Sequence, residues 1–331
     1  MNLGHRSFEI TKQSLRALAC FTLFGTIALC QTPSETGSSV ARSTIDVTHI
    51  LGFEGARHNA NGELGIQGDA LQFQRAGSPA VRVSIRSIQN IFLGDEDGQV
   101  GGVPMMLTKT AVPFGGGRVV SLFAHKKYDS LTLEYLDDNG SLHRAVFRLN
   151  KGHGPALQTD LVAKGAHVGP PLFVPTVPAE FTSPDTSRNP HQWSVQVDSV
   201  DPGAAPLEPS FQAAIYENFL EELAKTKQFK SVFRSGDRNA NEVSDLLLLK
   251  TKVQRYTPGS ETRRAVTTVA GATKLNVTIQ LVTRDGRVVL EHVVEGDVRF
   301  IGNNLRATHN LAHNAANTLK HSTIPSAAGD E

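Results

Sequence analysis

Six prolines fall between Gly169 and Pro190, at positions 170, 171, 175, 178, 184 and 190 of the run GPPLFVPTVPAEFTSPDTSRNP. Proline fixes φ and lacks a backbone N–H, so a segment this rich in it forms neither a helix nor a central strand. An extended, stiff connection is expected here. The chain is therefore read as two domains, residues 41–168 and 191–322, joined by a linker over 169–190. Each is long enough to bury a core of its own. Residues 31–40 are expected to be a flexible tether and 323–331 a disordered tail.

The first domain has the two-residue period of half-buried strands. Leu71 and Phe73, then Val81, Val83 and Ile85, alternate with polar or small residues. Leu131, Leu133 and Tyr135 alternate before Asp138-Asn139-Gly140, and Ala145, Phe147 and Leu149 alternate after it. Asn-Gly tolerates the positive φ angles of a tight turn, which predicts a hairpin at this point. Residues 155–164 (PALQTDLVAK) predict a short amphipathic helix stopped by Gly165. Several strands closed by a C-terminal helix, with GGRVVSLFAHKKYDSLTLEYLDDNGSLHRAVFRL among them, resemble a bacterial pleckstrin-homology-like domain. That resemblance implies a barrel-like arrangement.

In the second domain, residues 193–200 (WSVQVDSV) alternate as a strand. Ser210 is expected to cap the next helix through its hydroxyl. Phe211, Ile215, Phe219 and Leu223 recur every four residues as one apolar stripe, which leaves Glu217, Glu221 and Lys225 on the exposed side. Strands are expected over 246–256 and from 264, with a kink at Gly271. Leu275, Val277, Ile279 and Leu281 then alternate, Asp285-Gly286 turns the chain into a strand over 288–300, and residues 304–320 close as a helix. The order is β-α-β-β-β-α, with both helices on one face of the sheet. The whole chain is thus expected to be α+β.

This second half, from a helix ending in KQFKSVF through DLLLLKTKVQRYTPGSETRRAVTTVAGATKLNVTIQLVTRDGRVVLEHVVEGDVRFIGNN, resembles the bacterial exported and lipoprotein domain of unknown function numbered 4410. The basic pair Arg263-Arg264 and the small-residue kink Ala270-Gly271-Ala272 carry the likeness. It implies an envelope location and no activity.

The N-terminus agrees with export. Arg6, Lys12 and Arg16 precede an apolar run over 18–29 (LACFTLFGTIAL), which suits the core of a signal peptide and is shorter than the roughly 20 residues of a membrane span. Residues 1–30 are read as this signal peptide. Cleavage before Gln31 has Ala28 and Cys30 at the small-residue positions. A second reading stays open, with Cys30 as the acylated cysteine of a lipoprotein; the bulky Leu29 before it departs from that pattern. Cys20 and Cys30 are the only cysteines. A mature chain lacks a disulfide, and any metal site in it must use histidine and carboxylates.

Composition removes several function classes. Thirty-three basic against 32 acidic side chains give a net charge of +1, with no global footprint for nucleic acid. Aromatics make up 6%, with one tryptophan, too few for a stacking platform. The string Phe114-Gly115-Gly116-Gly117-Arg118 is the candidate ligand loop, because exposed amides beside a guanidinium suit an anion. Its competing reading is a plain hairpin loop. His309 and His313 stand one helical turn apart and are the metal candidates, although HNLAH lacks the glutamate of HExxH. A packed or rim pair is the competing reading. Asp95-Glu96-Asp97-Gly98 lacks the downstream ligands of a calcium loop and is read as a solvated turn. No catalytic residue is assigned and no cofactor is expected. The expectation is a non-catalytic exported envelope protein with a binding or assembly role in the periplasm or outer membrane. Its partner would be another envelope protein or lipid, without nucleic acid and without a transmembrane helix in the mature chain. The alternative is a periplasmic hydrolase with an unrecognised or histidine-based metal site.

Overall fold

Alternating side chains in the first half build a seven-stranded sheet, because each strand must turn one apolar face inward. The computed structural model describes residues 44–99, 125–168, 192–260, 271–299 and 303–325. Strands β1 (Thr44–Leu51), β2 (Ala60–Gln67), β3 (Ala70–Gln74), β4 (Val81–Ser84), β5 (Ile88–Gln99), β6 (His125–Leu136) and β7 (Leu142–Asn150) precede helix α1 (His153–Ala163). All pairings are antiparallel, in the order β4-β3-β2-β1-β7-β6-β5. Leu64, Leu71, Phe73, Leu131, Leu133, Phe147 and Leu149 meet under Leu157 and Leu161 of α1. The expected hairpin is present between β6 and β7, with Gly140 at φ +79°.

Two expectations are corrected in this half. The sheet is not a closed barrel: its order runs from β4 at one edge to β5 at the other. Asp95 to Gly98 lie in β5, paired with β6, instead of forming a turn. Lys151 forms an ion pair with Asp95 in that extended edge, a partner that the local acidic run does not disclose.

The second half comprises β8 (Ser194–Asp201), α2 (Pro209–Thr226), β9 (Val232–Phe233), the short α3 (Arg238–Asn241), β10 (Leu246–Thr257), β11 (Thr273–Thr283), β12 (Val288–Val298) and α4 (Arg306–His321). The sheet order is β12-β11-β10-β8-β9, with β8 parallel to β9 and β10 and the other pairs antiparallel. The expected β-α-β-β-β-α frame is present, with β9 and α3 added. The string KQFKSVF lies beyond the helix end: Lys227 turns left-handed at φ 54° and the chain continues into β9. Phe211, Ile215, Phe219 and Leu223 share one core with Leu275, Val277, Ile279 and Leu281, and α4 adds Leu311, Ala315 and Leu319.

Helix α2 starts earlier than expected. Glu208 is its N-cap and Pro209 takes the first turn, where a missing N–H costs nothing. Ser210 is inside the helix and buried. More of α2 is enclosed than one stripe predicts, since it packs against β6 and β7 of the first sheet as well as against β8 and α4. Ile50, Leu51 and Val146 of the first sheet join the core of the second, and the described residues of both halves belong to one compact unit. The expected signal peptide and tether over 1–40, the expected linker over 169–190 and residues 326–331 of the expected tail lie outside the described residues. No helix among the described residues is long and apolar enough to cross a membrane.

Candidate functional site

The β6–β7 hairpin touches the second half through its backbone. Leu142 N donates to Ser235 O at 2.9 Å, and Arg238 N donates to Asn139 O at 3.2 Å. Behind the hairpin, Gly52 at φ +81° ends β1 so close to β7 that a Cβ there would stand 1.9 Å from the Arg144 carbonyl oxygen. No other residue type fits this approach. Glu217 of α2 occupies the centre of the junction and is 5% exposed, which corrects its assignment to the exposed face. Its Oε1 accepts from Arg144 N at 2.9 Å and from Arg234 Nη1 at 2.7 Å, and its Oε2 accepts from Arg234 Nη2 at 2.9 Å. Burial alone would lower the Arg234 pKa, but the Glu217 hydrogen bonds and charge raise it above its ordinary value. Tyr216 OH donates to Leu142 O and accepts from Ser235 N, with the Arg144 guanidinium 5.1 Å over its ring. Both carboxylate oxygens of Glu217 are occupied, Oε1 by Arg144 N across the junction and by Arg234, Oε2 by Arg234 alone, so this assembly is structural.

A second assembly opens toward solvent beside it. Tyr135 and His143 are cross-strand partners in β6 and β7, and their rings stack with centroids 5.0 Å apart and planes 12° from parallel. His143 is 3% exposed, its Nδ1 has no hydrogen-bond partner, and its Nε2 lies 3.2 Å from Asp137 Oδ2 and 3.6 Å from Glu54 Oε2. The three ligand atoms all lie within 4.8 Å of one another. Asp137 has its other oxygen occupied: Oδ1 accepts from Asn139 N and Ser141 N, both at 2.8 Å, as the hairpin turn requires. Burial would raise the Asp137 pKa, and the Ser141 amide, His143 and the Asn139 amide together hold it below the carboxylate norm. The loop carrying Glu54 is fixed by His49, whose Nδ1 contacts Arg57 O at 2.8 Å while Nε2 accepts from Phe53 N at 3.1 Å. Burial keeps His49 neutral by lowering its pKa. Glu54 N itself donates to Tyr135 OH at 2.9 Å, and burial raises that phenol's pKa so that it stays protonated.

The third assembly lies between α2 and α4. Glu222 is 6% exposed. His313 Nδ1 lies 3.1 Å from its Oε2 and His309 Nδ1 lies 3.8 Å from its Oε1, while Lys225 Nζ lies 2.7 Å from Oε1. Burial opposes ionisation of Glu222, yet Lys225 and His313 lower its pKa overall. His309 and His313 are about half exposed, at 49% and 58%. They are a rim pair that fastens two helices.

Of the residues singled out by sequence, the structure thus brings His309 and His313 together on one carboxylate. Cys30, the loop Phe114 to Arg118 and the pair Arg263-Arg264 lie outside the described residues. Glu54, Asp137 and His143 were not singled out. Asp137 and His143 face each other across a turn that was legible, so part of the signal was present; Glu54 comes from a loop about eighty residues away.

These features define an α+β protein of two sheets, joined through a buried helix and bearing polar clusters at the junction. No family model matches the chain, and neither does any curated protein. Among solved structures, a PelC dodecamer from Paraburkholderia phytofirmans is similar at 12% identity and a TM-score of 0.29, over 40% of this chain and 90% of that one. A point variant of the same PelC dodecamer gives 13% identity and a TM-score of 0.28, over 38% and 86%.

Proposed function

We propose that this chain is a non-catalytic exported protein of the cell envelope, with a binding or assembly role in the periplasm or outer membrane. One observation carries the binding role. Strand β12 is an edge of the second sheet, eleven residues long, and among the described residues no strand pairs with its outer side. Asn314 and Asn310 of α4 donate to its Glu295 and Asp297 carbonyls; the stretch before Glu295 offers backbone N–H and C=O groups to a partner strand, as an unpaired edge does. Val293 and Val288, 64% and 49% exposed, add apolar side chains along it. Export rests on the three basic residues Arg6, Lys12 and Arg16 and the apolar run over 18–29. Seven antiparallel strands followed by α1 support the pleckstrin-homology-like reading of the first half. The rival hydrolase reading on His309 and His313 is weakened by Lys225, a cation held on the carboxylate that those histidines share.

The test uses a photo-crosslinking residue at Val293, or at exposed Lys164 as a control, followed by cell fractionation. A discrete adduct in the envelope fraction from position 293 alone is expected. Equal adducts from both positions would remove the edge from the account, and intact Met1 in the cytosol would remove export.

A further inference from the structure

We propose that Glu54, Asp137 and His143 form a binding site for one divalent transition-metal ion of the zinc class. The proposal is independent of the envelope role. An ion pair accounts for Asp137 beside His143, but it does not account for a second carboxylate directed at the same imidazole nitrogen. With two carboxylates facing one ring, the cluster is net negative even when the imidazole is protonated, a deficit that a cation removes. The buried ring directs its only polar contacts into this cluster, since Nδ1 has no partner and Nε2 faces both carboxylates.

The distances agree with coordination. Ligands held about 2.0–2.1 Å from a tetrahedral metal stand about 3.3 Å from one another; the separations from His143 Nε2 are 3.2 and 3.6 Å, and the three atoms all lie within 4.8 Å of one another. The donor set selects the metal: calcium and magnesium take oxygen ligands, whereas an imidazole nitrogen with carboxylates suits zinc, cobalt and their neighbours. Asp137 Oδ2 is available because the turn amides occupy Oδ1. Tyr135 positions two of the ligands together, through its stack on His143 and its hydroxyl on the Glu54 amide. Glu54 is 62% exposed and gives the ion its way in. A metal here ties the loop after β1 to the hairpin that carries Leu142 and Arg144 into the sheet junction. It acts as a brace for that junction.

Cobalt chloride titrated into the metal-free full-length protein is the direct test, read by visible absorption and by displacement with zinc chloride. One saturable equivalent is expected, with the absorption of a low-symmetry, tetrahedral-like site. Glu54→Gln alters an exposed side chain, and Asp137→Asn retains the turn acceptor, so both variants should fold. Each is expected to weaken cobalt binding by at least about tenfold, as loss of a ligand exceeds the 10–100-fold typical of losing a supporting partner. The double variant His309→Ala/His313→Ala is expected to bind as the parent does. Absence of saturable binding, unchanged affinity in Glu54→Gln and Asp137→Asn, or loss confined to the His309/His313 variant would each overturn the proposal.

Discussion

The two faces of α2 are held by different physics. Toward the second sheet, Phe211, Ile215, Phe219 and Leu223 are buried against strand residues of the same character, and burial of apolar area is the whole attraction. Toward the first sheet and α4, Glu217, Asn218 and Glu222 are nearly as buried, yet each has a named partner: Arg234 and the Arg144 amide, the Thr308 hydroxyl, and the Lys225 ammonium with the His313 imidazole. The apolar face tolerates many neighbours of the right size. The polar face tolerates one geometry, because an unpaired buried charge is costly. Together they show how a helix can be enclosed on both sides while its sequence still alternates like that of a surface helix.

The largest expected effect breaks the apolar face. Phe219→Ala in the full chain should lower stability by about 3–5 kcal/mol through lost transfer energy and the remaining cavity, measured by urea denaturation. A loss no greater than that of a surface substitution would mean that α2 is not seated on the second sheet. Glu217→Ala tests the polar face and should cost about 2–3 kcal/mol, below the range for fully buried pairs because Arg234 is 25% exposed. Removing Arg234 in the same background should add little, since the two act as one unit; full additivity would refute their coupling.

Acid sharpens the comparison next. The native pKa values of Asp129 and Glu222 lie below their ordinary values, 3.8 and 4.5. Burial opposes this in both; the Gly154 amide and Lys151 overcome it for Asp129, and Lys225 and His313 for Glu222. Depressed carboxylates contribute stability that is present above their unfolded values and lost as pH falls through the native ones. His49 has the same sign and an earlier onset, because its native pKa lies below 6.5 and protonation favours the unfolded chain. Stability should therefore decline gently below about pH 6.5 and more steeply below about pH 4, in urea midpoints taken across that range. Asp129→Asn should flatten the steeper limb, and an unchanged slope would exclude it as a contributor. The smallest effect belongs to Glu221→Ala, at most about 0.5 kcal/mol, since its ion pairs with His58 and Lys225 are at the surface. A loss comparable to that of Glu217→Ala would erase the distinction between the two glutamates.

Much of the secondary structure was legible because alternation and four-residue spacing report which side of a local segment is apolar. The alternating residues of β6, β7 and β11, the Asn139-Gly140 turn and the stripe of α2 all follow from that signal. The short β9 and α3 were not legible. Two or four residues carry no period, and β9 exists only because Val195 and Gln196 of β8 offer it a partner.

The polar assemblies divide along the same line. The spacing of His309 and His313 places both on one helix side, and the turn at Asn139-Gly140 brings Asp137 near His143; both relations are local and the sequence alone determines them. That Glu217 is buried, and that Glu54 meets the hairpin, depends on contacts across roughly twenty to eighty residues of chain. Charge at one position does not encode the partner that neutralises it. Tertiary structure decided these cases, because only the packing of β7 onto α2, and of the loop after β1 onto Tyr135, supplies the hydrogen bonds that make burial affordable.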